Sequence, residues 1–476
     1  MDYTRLGFKA GLEIHQQLDT GKLFCGCPGY LRQDVGDVQV MRKLHAIAGE
    51  TGEVDAAVRH EAGLEKSFVY EGYRDSTCLI ELDEEPPHLI SQEALDEALR
   101  VALLLNCEVY QHTQIMRKLV IDGSNTSGFQ RTVLLARNGW VETSFGKVPI
   151  DTLCLEEDSA RLVSEKSGKE VVYRLDRLGI PLVEIATAPT LVNPAQVRET
   201  ALKLGEIVRA CRVKRGIGTI RQDVNMSSTG HPRVEIKGFQ DMGMLEGTIQ
   251  MELIRQQHES DKQSQVRQAL PDGTTKFLRP MPGKARMYPE TDLPLLFISL
   301  EHINRIKKTL PRLQQDITQD LLKQGLSSEL VGLVLDGFVP LYTALVKRHV
   351  VSPVLIAKMI TLWTREVGTK AGKTFDELTS VCTEEVYDMI LERVASGKLG
   401  EGQVKGVLSA FISGKSLEDA LQVEQVDDNR LEQDLRAIVA EKPGLRANAY
   451  MGLVLAKLGI GIDKQKAMAI LQKVVG

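Results

Sequence analysis

The chain has 476 residues, 43% of them hydrophobic and 26% charged; such a length usually divides into about 2–4 domains, and the composition suits well-filled cores facing water. No apolar run reaches the ~20 residues of a membrane span, and MDYTRLGFKAGLEIH has neither a basic start leading into an apolar stretch nor a small-residue cleavage site, so no membrane or secretory role is expected. Seven scattered cysteines, an odd number, argue for a reducing, cytoplasmic setting, and the net charge of −5 lacks the basic footprint of a general nucleic-acid binder.

In chain order, Glu13 and His15 of GLEIH stand two apart, so a strand puts both side chains on one face. Ser91 is placed to cap SQEALDEALRVALLLN, whose Leu95, Leu99 and Leu103 line one face. MRKLVIDG, QRTVLLARNGW, KVPIDTLCLEED and RVEIKGF read as strands broken at Gly, Asn and Asp. Asn193 and Pro194 open a helix over PAQVRETALKLGEIVRACRV, since proline costs nothing at the first helical position. From Arg198 to Arg221 seven Lys/Arg face only Glu199 and Glu206, which reads as a solvated helix face or as part of a polyanion contact. Gln256 to Thr275 is polar and Gln-rich and reads as a loop or linker. Past Glu301, short amphipathic helices follow one another between Pro311, Gly325, Pro340, Pro353 and Gly372. The fold class expected is α+β: a mixed unit over residues 1–297, an all-α unit over 298–400 and a small all-α tail over 401–476.

Four segments concentrate chemistry beside turns: GLEIH, LEEDSARL with Glu156, Glu157 and Asp158, RLDRLGIPLVEI with Glu184, and IRQDVNMS with Arg221, Asp223 and Asn225 on one strand face. Carboxylates gathered from separate strands suit a hard divalent ion such as Mg²⁺, which in turn neutralises phosphates. From spacing alone, the plainer reading of the same acids is as surface residues or as ion-pair partners of the neighbouring arginines. DGSNTSGFQRT, with Ser127, follows Arg117 and Lys118 and could present backbone N–H groups to phosphate or form a tight surface turn. Cys25-Gly-Cys27 is a free-thiol pair or half of a zinc site with distant ligands such as Cys78. Neither G-x-x-x-x-G-K-[ST] nor G-x-S-x-G occurs, which removes a P-loop and a nucleophile elbow.

Taken together, GLEIHQQLDTGKLFCGCP, LEEDSARL, LDRLGIPLVEI, IRQDVNMS, RVEIKG and ARMYPETDLP resemble, in order, the signature blocks of the B/E subunits of tRNA-dependent amidotransferases. The resemblance covers about residues 7–300; TCLIELDEEPP, RKLVIDGSNTSGFQRT and GTIRQDVNMS lean to the archaeal E type. It implies a cradle-shaped catalytic domain, a helical domain and a tail that grips tRNA. It implies a ligase that uses ATP and Mg²⁺ to phosphorylate the glutamyl side chain of Glu-tRNA(Gln). Ammonia from an asparaginase-like partner, in a heterodimer or heterotetramer, then gives Gln-tRNA(Gln). A B-type protein acting also on Asp-tRNA(Asn) is the nearest alternative.

Carried over by position, His15, Glu157 and Glu184, with Glu13, are implied as catalytic metal ligands, and Glu156 as a weaker one. Lys118, Ser127, Arg221, Lys237 and Tyr288 are implied near ATP and substrate, and Lys307, Lys308, Lys347 and Arg348 as local basic patches. One departure stands out. E-type members usually carry an inserted domain related to one in aspartyl-tRNA synthetases, yet only twenty residues separate Arg255 from Lys276.

Overall fold

Alternating apolar and polar residues build one large sheet. Its path uses β1 (Lys9–Gln17), β2 (Ile115–Leu119), β3 (Phe129–Thr143), β4 (Gly146–Glu157), β5 (Pro181–Thr187), β6 (Ile220–Ser228), β7 (His231–Phe239), β8 (Gln265–Ala269), β9 (Thr275–Pro280) and β10 (Met287–Pro289). The order across the sheet is β9-β8-β7-β6-β1-β5-β4-β3-β2-β10. This computed structural model describes the chain except residues 47, 49–51, 55, 167–168, 240, 259–262, 282, 284–286, 423–427, 459–463 and 476.

Period-2 alternation decides what each face carries. On β1, Leu12 and Ile14 are fully buried while Glu13 and His15 point the other way. The apolar face is covered by α1 (Gln92–Leu104), α2 (Pro194–Ala210) and α3 (Leu245–His258), whose Leu95, Leu99, Val197, Leu204, Ile249 and Leu253 join one core with Leu12, Ile14, Leu153, Ile185 and Val224. Each such side chain contributes about 1.5–3 kcal/mol by leaving water. The caps are those the sequence suggests: Ser91 accepts from the Ala94 N–H, and Asn193 from the Gln196 N–H at 2.9 Å, with Pro194 at the first turn. The opposite sheet face is left polar. A second sheet of four strands (Val38–Arg42, Ser67–Gly72, Glu170–Arg174, Arg161–Lys166) lies in the same unit.

Two expectations change. Residues 256–275 are not a plain linker: α3 runs to His258, and β8 pairs in parallel with β7 before turning into β9. Polar composition misleads here because Arg267 is buried against Gln265 and Thr275, and Val266 supplies the buried face. The chain divides after Leu313, not after residue 297. Ile303 and Ile306 of the helix Leu300–Lys307, with Leu310 and Leu313, pack on the first unit's core, and His302 bonds Asp96 at 2.7 Å.

In the second unit, Gln314–Gly476, every described element is helical. One core runs from Leu321 to Ala420, and a separate small one joins Leu431, Leu435, Tyr450, Val454 and Leu471 of three helices between Asp428 and Val475. Arg348 is engaged by Glu384 and Asp388, so it is not a free cation for phosphate. No single described helix is long and apolar enough to cross a membrane.

Candidate active site

Strand register gathers the acidic segments. His15 stands opposite Glu184 on β5 and Arg221 on β6; Glu13 stands opposite Asp223, and Glu156 on β4 opposite Leu182. Alternation then projects Glu13, His15, Glu156, Glu184, Arg221 and Asp223 into a cleft of about 730 Å³ on the polar face. Lys118 reaches in from β2, and Glu235 and Lys237 from β7.

The contacts are close. His15 Nε2 lies 3.3 Å from Glu184, 3.4 Å from Glu13 and 3.8 Å from Glu156. Lys118 Nζ bonds Glu156 at 2.7 Å and reaches Glu184 at 3.4 Å. Lys237 Nζ meets Asp223 at 2.7 Å, and Arg221 holds Asp158 at 2.9 Å. Arg233 and Arg279 also line the cleft.

Crowded carboxylates shape the electrostatics. Burial, then the Glu184 charge, pushes the Glu13 carboxyl up to about 7. Burial opposes charge on His15, but its hydrogen bond to Glu184 and the neighbouring acids hold it up at about 9. Glu184 is held well below the usual range despite its burial, chiefly by Lys118 and His15. Protons thus supply positive charge that the acids demand. A divalent cation would supply it instead, and the donor set fits one: the triads Glu13/His15/Asp223 and His15/Glu156/Glu184 each bring donor atoms within 4.8 Å of one another.

Not every expected residue is here. Glu157 follows Glu156 on a strand, so it faces the other way. It accepts from the Arg131 backbone N–H at 3.2 Å and pairs with the Arg131 guanidinium at 3.4 Å, which also holds Glu290 at 2.9 Å. Burial pushes the Glu157 carboxyl up even with Arg131 opposing. Ser127 donates to the Phe129 carbonyl at 2.9 Å and lines a small interior space with Lys22, Glu81 and Glu157. Tyr288 lies against Phe129 and Arg117, while its neighbour Met287 lines the cleft. The sequence placed Asp223 on the Arg221 face without giving it a role in the site, ranked Glu156 below Glu157, and did not single out Glu235. Alternation was the available signal, since Asp223 shares a face with Arg221, and Glu235 with Lys237.

A second cluster lies elsewhere in the same unit. Cys25, Cys27 and Cys78 converge on Glu81, with the Cys25 and Cys27 sulfurs 3.7 and 3.6 Å from its carboxylate. The buried Lys22 ammonium pairs with Glu81, and the Cys78 N–H also donates to it. Hydrogen bonds from Cys25 and Cys27 hold the Cys78 thiol far below its usual range. Cys27 is lowered by Cys25, but Cys78 and burial push it up to about 12. Three sulfurs and a carboxylate are the four donors a tetrahedral zinc ion takes.

Residues 8–304 match the family model of the GatB/GatE catalytic domain. The chain is 35% identical to the E-type glutamyl-tRNA(Gln) amidotransferase protein of Methanocaldococcus jannaschii, covering 99% of both chains. It is 32% identical to the like-named protein from Methanothermobacter thermautotrophicus, over 95% of this chain and 94% of the relative. The Pyrobaculum islandicum protein of the same name is also 32% identical, over 85% and 91%. The first alignment spans 630 positions against 476 residues, so at least 154 positions face no residue of this chain.

Proposed function

The chain belongs to the GatB/GatE family, as one subunit of a glutamyl-tRNA(Gln) amidotransferase, and from that premise we propose that its cleft activates the glutamyl side chain of Glu-tRNA(Gln) with ATP. The observation that carries this reading is the His15-centred carboxylate cluster with Lys118 bound into it. A carboxylate is a poor electrophile and its oxygen a poor leaving group. In the first step a γ-carboxylate oxygen attacks the γ-phosphorus of ATP, an O–P bond forms, the bond to the β-bridging oxygen breaks and ADP leaves. Ammonia then attacks the acyl carbon, the C–N bond forms, the C–O bond to phosphate breaks, and nitrogen gives up a proton as phosphate leaves.

The residues suited to hold Mg²⁺ are Glu13, His15, Glu156 and Glu184, with Asp223 beside them. When bound, that ion supplies neutralisation of the transferring phosphoryl group. Lys118 holds Glu156 and Glu184 together, fixing two of these carboxylates against His15. Among the described residues, Arg233 and Arg279 line the cleft as cations for phosphate oxygens, beside Arg221 and Lys237, which are paired with Asp158 and Asp223. The acyl phosphate must be kept from water, so ammonia is best delivered by a partner protein, for which an asparaginase-like amidohydrolase is the expected source. A zinc ion at Cys25, Cys27, Cys78 and Glu81 belongs to the same proposal, tying the segment after β1 to the segment 77–81. The unmatched positions in the alignment amount to a domain's length, in keeping with absence of the family's inserted domain at about residues 256–275.

The test is amidation of Glu-tRNA(Gln) and Asp-tRNA(Asn) side by side with the copurified complex, ATP and Mg²⁺. Conversion of Glu-tRNA(Gln) alone supports the E-type reading. Equal conversion of both substrates overturns it in favour of the B type, and conversion without ATP removes the activation step.

A further inference from the structure

Between α2 and β6 lies the loop 214–218, Lys-Arg-Gly-Ile-Gly. It stands at the end of the ladder that carries the cleft, where His15 pairs with Arg221 and Gln16 with Ile220. Its base is pinned: the Lys214 N–H donates to the Gln17 carbonyl, and Gln16 Nε2 donates to the Lys214 and Thr219 carbonyls at 3.0 and 3.2 Å. At about 3.3 Å per strand residue, the loop begins within roughly 10 Å of Arg221.

The tip is held at Gly216, whose carbonyl accepts from the Thr219 hydroxyl at 2.8 Å, and presents a bare side chain. Ile217 is 94% exposed between Gly216 and Gly218, whose φ angles of +119° and +82° are left-handed, and nothing lies within 4 Å of a Cβ built at either glycine. Arg212 and Lys214 are engaged by Glu93 and Asp19. Arg209 and Arg215 are exposed and, among the described residues, have no carboxylate partner; Arg215 donates only to the Arg209 carbonyl at 3.4 Å. In a chain of net charge −5, two uncompensated guanidiniums beside a bare aliphatic tip are not a by-product of basic composition.

We propose that Arg209, Arg215 and Ile217 form the rim that receives the acceptor end of an aminoacyl-tRNA. The guanidiniums take backbone phosphates, and Ile217 rests against the open face of the terminal base pair or a 3′ nucleotide, as apolar wedges do on stacked bases. The aminoacyl group then hangs toward His15. This rests on the amidotransferase reading and names where its RNA enters. An acidic protein surface is the competing occupant.

The experiment uses the full complex and measures uncharged tRNA(Gln) binding over a range of salt, together with amidation kinetics. R209A/R215A is expected to weaken tRNA binding about tenfold near physiological salt. It should lower the slope of log K against log salt by roughly 0.7–0.9 per guanidinium removed. Arg215→Lys should restore most of the loss, and Ile217→Ser should raise KM for Glu-tRNA severalfold with the salt slope unchanged. Melting temperatures should match wild type. Wild-type affinity and slope in the double variant would overturn the rim, as would loss of the partner protein in place of RNA. Wild-type protein that binds tRNA but makes no Gln-tRNA would count against the function and leave the rim standing.

Discussion

Glu156 and Glu157 are chain neighbours on β4, yet they serve opposite sides of the sheet. Glu156 shares the cleft with Glu13, His15 and Glu184, where acids outnumber their immediate partners and Lys118 and His15 bridge them. Glu157 sits behind the cleft in a matched pair with Arg131, whose guanidinium also balances Glu290. Like charges crowded together cost stability and persist where chemistry uses them; matched buried pairs are structural, and breaking one strands a charge.

Substitutions should separate the two faces, beginning with the largest effect. Glu13→Gln is expected to lower the rate of Gln-tRNA formation about 10³-fold, as loss of a preorganised charge does, with a melting temperature equal to or above wild type because burial and the Glu184 charge oppose ionisation of Glu13. Glu157→Ala should do the reverse. It removes one of the two acids on Arg131, leaving Glu290 at 2.9 Å, and destabilises by about 1–3 kcal/mol through the lost charged hydrogen bonds, seen in denaturant unfolding, while the rate per folded molecule stays within about tenfold of wild type. Equal rate losses in both variants would erase the contrast between the faces.

The cysteine cluster, proposed as a structural zinc site away from the cleft, sharpens it further. Cys78→Ser is expected to take the purified complex from about one zinc per chain to near none by elemental analysis, lower its melting temperature and spare the rate of the folded remainder. No zinc in wild type would retire the site. The smallest effect concerns the tail. Deleting residues 428–476, whose helices share their own core, should raise KM for Glu-tRNA about tenfold and change kcat at saturating tRNA by about twofold or less. Unchanged KM would exclude a tRNA role for those helices.

Much of the site was legible because strand alternation is a local property. Glu13 with His15, and Arg221 with Asp223, could be placed on shared faces from spacing alone. Which of Glu156 and Glu157 belongs with them was not legible. Alternation says they oppose one another, but only the long-range register of β5 against β4 and β1 says which one meets His15. The convergence of Cys78 and Glu81 on Cys25-Gly-Cys27 depends in the same way on chain returning over fifty residues later. Residues 256–275 misled because β8, one strand in from the sheet's edge, spends its polar side chains on hydrogen bonds, as Arg267 does with Gln265 and Thr275, and so resembles a solvated loop in composition. Ser127 and Tyr288 lie in segments beside the cleft, and sequence gives no direction for their side chains.

The central claim is that the His15 face of the sheet, and not its reverse, performs the ATP-dependent activation. Glu156→Gln and Glu157→Gln, which conserve shape and remove one charge each, test it when compared for ATP- and Mg²⁺-dependent conversion of Glu-tRNA(Gln) with ammonium chloride supplied. The expected result is loss of conversion in Glu156→Gln and persistence in Glu157→Gln. Persistence in Glu156→Gln with loss in a fully folded Glu157→Gln would contradict the account.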